Sequence, residues 1–123
     1  MENPLLAVSQ ELADTVERAG KFVVAVSARP RLASSGIYWR DGIVITADHT
    51  IKQTEEISVT LPDGRTLPAQ LAGRDPGTDL AALRIEGADL PAPEFALAES
   101  LRAGSLVWRW ADPRPWASTP RWA

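Results

Sequence analysis

Two Asp-Gly dipeptides, Asp41-Gly42 and Asp63-Gly64, each stand between short runs rich in β-branched, aromatic and other apolar residues. Such a dipeptide is a strong hairpin signal, because glycine takes the positive φ that a tight turn requires. The runs around the first are Gly36 to Trp39 and Ile43 to Thr46; around the second they are Ile57 to Leu61 and Thr66 to Gly73. An earlier run, Phe22 to Val26, ends before Pro30, and a later one, Leu80 to Ile85, follows the loop Arg74 to Thr78. Pro68 inside the fourth run implies an edge position or a bulge, since proline donates nothing to a ladder. Short runs, hairpin connections and no helical period between them predict an all-β, antiparallel six-stranded barrel, with a sandwich as the other closure. Phe95 to Leu97 and Leu101 to Val107 are expected to supply the last strand.

The segment ahead of the β-rich part is different. Asn3-Pro4 suits a helix start, with Asn as N-cap and Pro at the first position, and Gly20 suits a stop. Leu5, Leu6, Val8, Leu12 and Val16 fall on one helical stripe, as expected of a short helix that packs over one end of the barrel. The organisation expected is a helix over 1–20, a barrel over 21–107 and an irregular tail over 108–123.

That tail holds four of the five tryptophans and three of the ten prolines, and prolines at 113, 115 and 120 exclude a continuous strand or helix. One reading is a Trp/Arg peptide for a membrane surface or partner groove. The other is a shift of reading frame. Back-translated with GC-rich codons and read from the third base, Val107 to Pro113 becomes Val-Ala-Val-Gly-Arg-Pro. Pro115 to Ala123, at the same offset, becomes Leu-Gly-Val-His-Ala-Ser-Leu-Gly. Both products resemble ordinary strand-and-turn sequence, so the frameshift is the preferred reading.

Composition narrows the chemistry. A net charge of −3 argues against general nucleic-acid binding. Without cysteine there is no thiol nucleophile, disulfide or thiolate metal site, and one histidine with scattered carboxylates gives no ligand spacing, so no cofactor and no metal are expected. No apolar run is long enough to span a membrane, and the first residues lack the basic and apolar regions of a secretory signal. As written, the chain shows no route out of the cytoplasm.

The single histidine, His49, falls just past the second strand of the first hairpin, where a rigid edge can display a general base. A surface or half-buried histidine of no chemical role is the plainer alternative. Asp79 precedes the apolar run Leu80 to Leu83, which sets its carboxylate at the partly dry mouth of the core; a simple turn residue is the alternative there. An imidazole and a carboxylate are two parts of a hydrolytic triad, which also needs a nucleophile.

Ile43 to His49, Ile57 to Arg65, and Gly73-Arg74-Asp75-Pro76-Gly77-Thr78-Asp79-Leu80-Ala81 together resemble the HtrA/Deg branch of the trypsin-like, chymotrypsin-fold serine proteases. The resemblance runs from about Lys21 to Val107, with the three segments in that family's order. It implies that His49 is the general base and that Asp79, rather than Asp75, is the orienting aspartate. Ser34-Ser35-Gly36 matches the small residues that lead into the hairpin. The residue before the histidine is commonly small in the family; here it is Asp48. The family folds as two β-barrels, and the second carries the nucleophilic serine in a Gly-x-Ser-Gly-Gly turn, with the oxyanion hole. Ser100, Ser105 and Ser118 lie in no such turn.

The leading expectation is therefore the first barrel of a serine endopeptidase, from a truncated or frameshifted gene and inactive by itself. Unfolded or exposed polypeptide would be the substrate of the complete enzyme. The alternative is a catalytically inert barrel that binds a peptide or partner. Self-association through an uncovered barrel face is expected in either case. Relatives of this type are often exported, which leaves the compartment open.

Overall fold

The computed structural model describes residues 3–109. A helix, α1, spans Pro4–Gly20, followed by β1 (Val23–Ser27), β2 (Ser34–Arg40), β3 (Ile43–Ala47), β4 (Ile57–Thr60), β5 (Thr66–Asp75) and β6 (Leu80–Ile85). The six strands close into one antiparallel barrel in the order β1-β2-β3-β6-β5-β4, with β4 pairing back onto β1. Alternation along the strands sorts the side chains. Val24 and Val26 of β1, Val44 of β3, Val59 of β4 and Leu83 of β6 point into the barrel with at most 1% exposure. Their neighbours in sequence face outward, as a period of two requires.

The β2–β3 hairpin shows why the turn chemistry matters. Gly42 has φ +76°, and a Cβ there would stand 2.5 Å from the carbonyl oxygen of Ile85. Glycine therefore serves both the turn and the close passage of β6. The Gly42 N–H donates to the hydroxyl of buried Tyr38 at 3.1 Å, which gives that phenol a partner inside the core. Gly36 has the opposite problem, an inward position with no room: a Cβ would lie 2.9 Å from methyl carbons of both Val26 and Val44.

Two expectations are corrected. Phe95 to Leu97 and Leu101 to Val107 form no strand; the ordered element there is a single 3₁₀ turn, Ala98–Ser100. Their side chains are exposed, Leu97 at 72% and Leu106 at 82%. The physical reason is closure: once β1 pairs with β4, no strand edge is left to accept another. Helix α1 has the expected cap, Asn3 Oδ1 accepting from the Leu5 N–H at 3.0 Å, but only its C-terminal half approaches the barrel, so the cover it gives is partial. No residue in it is fully buried, Leu5, Leu6 and Val8 are exposed, and only Leu12, Thr15, Val16, Ala19 and Gly20 are half-buried. Pro68 stands, as expected, where β5 is a local edge. It pairs in regular register with Ser58 and lies beyond the last β5–β6 pair, Ala69–Ile85, so no β6 acceptor opposes it. The β5 irregularity comes later, between Leu71 and Gly73. The tail on which the two readings of frame and function rest lies, from residue 110 onward, outside the described residues.

Candidate active site

Strands β3 and β6 pair along their whole length, and the last pair is Ala47 with Leu80. The residues just after β3 and just before β6 are therefore side by side, which brings together two positions 30 apart in sequence. After Ala47 the chain makes a 3₁₀ turn, Asp48–Thr50, with His49 at its centre. Thr50 ties this turn back through its hydroxyl, which donates to the Ala47 carbonyl at 2.7 Å, and Ser34 Oγ donates to Thr50 Oγ1 at 3.2 Å. On the other side, Asp79 takes a left-handed conformation, φ +59°, uncommon for a residue with a Cβ and tolerated best by Asn and Asp. Asp75 builds the turn that leads to it: Oδ1 accepts from the Gly77 N–H at 3.0 Å and Oδ2 from the Thr78 hydroxyl at 2.9 Å. Asp75 is thus spent on its own loop.

Asp79 is held at three points. Its carbonyl accepts from the Asp48 N–H at 3.0 Å, its Oδ1 from the His49 N–H at 2.8 Å, and its Oδ2 lies 2.7 Å from His49 Nδ1. With the proton on Nδ1 donated to the carboxylate, the lone pair of Nε2 is left available to take a proton. The expected partly dry setting is not what the fold provides: the His49 and Asp79 side chains are 69% and 51% exposed. Hydrogen bonds, rather than a low dielectric, set the carboxylate. The imidazole bond first, and the His49 backbone N–H second, hold the Asp79 carboxyl below its ordinary value of 3.8, with desolvation opposing them.

A folded-state pKa below the unfolded one means that the link stabilises fully above the ordinary value and is lost as pH falls through the depressed one. A carboxyl-carbon NMR titration of Asp79 is therefore expected to show a midpoint below 3.8. Replacing His49 with alanine, which removes the largest cause, should bring that midpoint back toward the ordinary value.

Asp48 is the residue whose part the sequence did not reveal. It is buried and ion-paired, its Oδ1 accepting from Arg74 Nε at 2.6 Å. Ser35 lies on β2 with its hydroxyl buried and without a hydrogen-bond partner among the described residues. The late serines serve their own turns. Ser100 Oγ donates to the Leu97 carbonyl at 2.7 Å, and Ser105 Oγ accepts from the Arg102 N–H at 3.2 Å; Ser118 lies outside the described residues. Among the described residues no group of three or more acidic, histidine or cysteine side chains gathers to hold a metal.

Residues 34–120 match the family described as the trypsin-like peptidase domain. This chain belongs to that family, in its HtrA/Deg branch. A probable periplasmic serine endoprotease, DegP-like, from Pseudomonas fluorescens is 41% identical over 76 residues, 62% of this chain and 16% of the relative. A protein of the same name from Chlamydia pneumoniae is 41% identical over 64 residues, 52% of this chain and 13% of the relative. Among solved structures, the serine endoprotease from Yersinia pestis superposes with a TM-score of 0.59 at 38% identity, covering 65% of this chain and 31% of that one. The HtrA/Deg-type chain thus spans about one sixth of the length of the Pseudomonas relative. The family match continues through residue 120, into the segment for which a frameshift is expected; sequencing the gene reads that frame directly. The relatives are named as periplasmic, which lends no support to a cytoplasmic setting for this chain. No helix among the described residues is long and apolar enough to cross a membrane.

Proposed function

We propose that His49 and Asp79 are the general base and the orienting carboxylate of a serine endopeptidase whose nucleophile lies outside these 123 residues. The observation that supports this reading is the clamp on one carboxylate: Oδ2 is 2.7 Å from the imidazole Nδ1, while Oδ1 accepts from the backbone N–H of the same histidine at 2.8 Å. Two bonds from one carboxylate to one residue fix the tautomer and the ring direction together. His49 Nε2 then takes the proton as a serine hydroxyl attacks the scissile carbonyl, and Asp79 stabilises the imidazolium so formed. The imidazolium next gives that proton to the departing amine, and a water molecule repeats the cycle on the acyl-enzyme. Unfolded or exposed polypeptide is the substrate class. Without a serine in a Gly-x-Ser-Gly-Gly turn, and without the backbone donors such a turn aims at an oxyanion, this sequence by itself turns over no peptide.

Incubation of the 123-residue chain with a fluorophosphonate probe is the direct test. No serine is expected to be labelled; labelling of Ser35, Ser100, Ser105 or any other would overturn the proposal.

A second reading, an inert barrel that binds a peptide or a second copy of itself, draws on one observation. A groove of about 880 Å³ runs beside Asp79, with Phe22, Ile37, Ile45, Leu80 and Trp108 in its walls. Ile37 and Leu80 are about half exposed, an apolar surface suited to association. DNA downstream of Ala123 separates the two. A Gly-x-Ser-Gly-Gly segment in any frame supports the protease, while its absence together with a dimer in analytical ultracentrifugation supports the binding module.

A further inference from the structure

Besides the His49 N–H bond to Asp79 Oδ1, two links between side chains join the segment bearing His49 to the β5–β6 hairpin bearing Asp79. The first is the His49–Asp79 pair itself, more than half exposed on both sides. Links between exposed side chains are screened by water and contribute little to holding a geometry. The second lies one residue back in the 3₁₀ turn. Asp48 Oδ1 accepts from Arg74 Nε at 2.6 Å, with the carboxylate side chain only 10% exposed and the guanidinium 38% exposed. Arg74 stands on β5 opposite Ala81 of β6, and the loop between those two strands ends at Asp79. The hydroxyl contacts of Thr50 and Ser34 tie the turn to β3 and β2, on the other side, and do not reach this hairpin. Asp48 also donates its own N–H to the Asp79 carbonyl at 3.0 Å, so it touches the hairpin through backbone and side chain alike.

A buried carboxylate that loses its cation is strongly unfavourable, whereas an exposed imidazole that loses its carboxylate is rehydrated. The Asp48–Arg74 pair, with its carboxylate buried, thus adds a side-chain anchor to the backbone bonds that already set the turn beside Asp79. We propose that Asp48 and Arg74 are positioning residues, a part-buried strut that, with the backbone bonds, keeps His49 Nδ1 within hydrogen-bond reach of Asp79. The proposal rests on the reading of His49 as the base, and it gives the acidic residue before the histidine a purpose that a small residue could not serve.

Because His49 is the only histidine, ¹⁵N and ¹H NMR of the imidazole report this one ring without assignment. In the unaltered chain, with the ring neutral, an Nδ1–H tautomer with a downfield Nδ1 proton is expected. In Arg74→Met that proton resonance is lost and the tautomer shifts toward Nε2–H, while Arg74→Lys retains part of it. If Arg74→Met does not fold, Asp48→Asn combined with Arg74→Met removes both charges and is expected to fold with the same loss. A folded variant that keeps the Nδ1–H signature overturns the strut. So does failure of both variants to fold, which makes the pair an element of stability rather than of position. Absence of the signature in the unaltered chain is a different outcome, since it removes the His49–Asp79 reading on which the strut depends.

Discussion

Replacing His49 with alanine is expected to lower kcat by about 10⁶-fold once the barrel is supplied with a nucleophile, the loss seen when the base of a Ser-His-Asp constellation is removed. The protein to use is a chimera in which residues 21–107 of this chain replace the matching segment of the Pseudomonas relative. Hydrolysis of an unfolded protein such as reduced casein is the assay. Asp79→Asn in the same chimera should cost about 10⁴-fold, because the amide keeps the shape but offers Nδ1 no carboxylate and favours the wrong tautomer. Asp75→Asn is the internal control: its carboxylate bonds Gly77 and Thr78, so activity should stay close to that of the parent chimera. A His49→Ala chimera that retained most of its rate would remove the imidazole from the mechanism. Equal losses in the Asp75 and Asp79 variants would mean that loop structure, not the carboxylate, was being measured.

Leu83→Ala is expected to destabilise the barrel by about 2–5 kcal/mol, the usual range for a leucine cut back to alanine in a core that cannot collapse around the gap. Leu83 is 0% exposed and sits mid-strand on β6, opposite Val44 of β3 and Leu71 of β5. A closed barrel is a poor candidate for relaxation, since moving one strand inward strains the pairing on both its edges. Because domains of this size are stable by only about 5–15 kcal/mol, that one change removes a large share of the margin. Urea unfolding followed by circular dichroism measures it as a fall in midpoint at constant slope. Leu106→Ala, at a position 82% exposed and outside the strands, should stay within about 0.5 kcal/mol of the parent. If the two variants unfold at the same midpoint, the inward face of β6 has been misassigned.

The strands that bracket the Asp41-Gly42 turn were legible because period-two alternation and a turn residue with positive φ are both local signals. The same holds for the Asn3 cap of α1. The expected last strand failed for a reason that no local window contains. Leu101 to Val107 has an apolar composition fit for a strand, but whether an edge is free to receive it depends on β1 meeting β4 across the barrel. The expected packing of α1 held only in part for a similar reason: an apolar stripe states that a face can be buried, not that the fold offers a surface along all of it. The exposure of Asp79 departs from expectation because an apolar run does not bury what precedes it where the barrel ends.

His49 and Asp79 stand out in the sequence as candidates because each sits at a boundary between strand and turn, and because the three segments in order resemble HtrA/Deg proteases. Their 2.7 Å approach follows from the β3–β6 register, which ends at Ala47 and Leu80 and so sets the next residues beside each other. Asp48 and Arg74 gave no such signal, since neither an acidic residue before a histidine nor an arginine in a strand says anything of its partner. By itself the sequence determined which residues turn, which alternate and which have side chains able to exchange a proton, all matters of local stereochemistry and side-chain chemistry. Only the closed barrel decided which of them meet and how far water reaches them, because pairing between strands far apart in the chain sets distance and burial together.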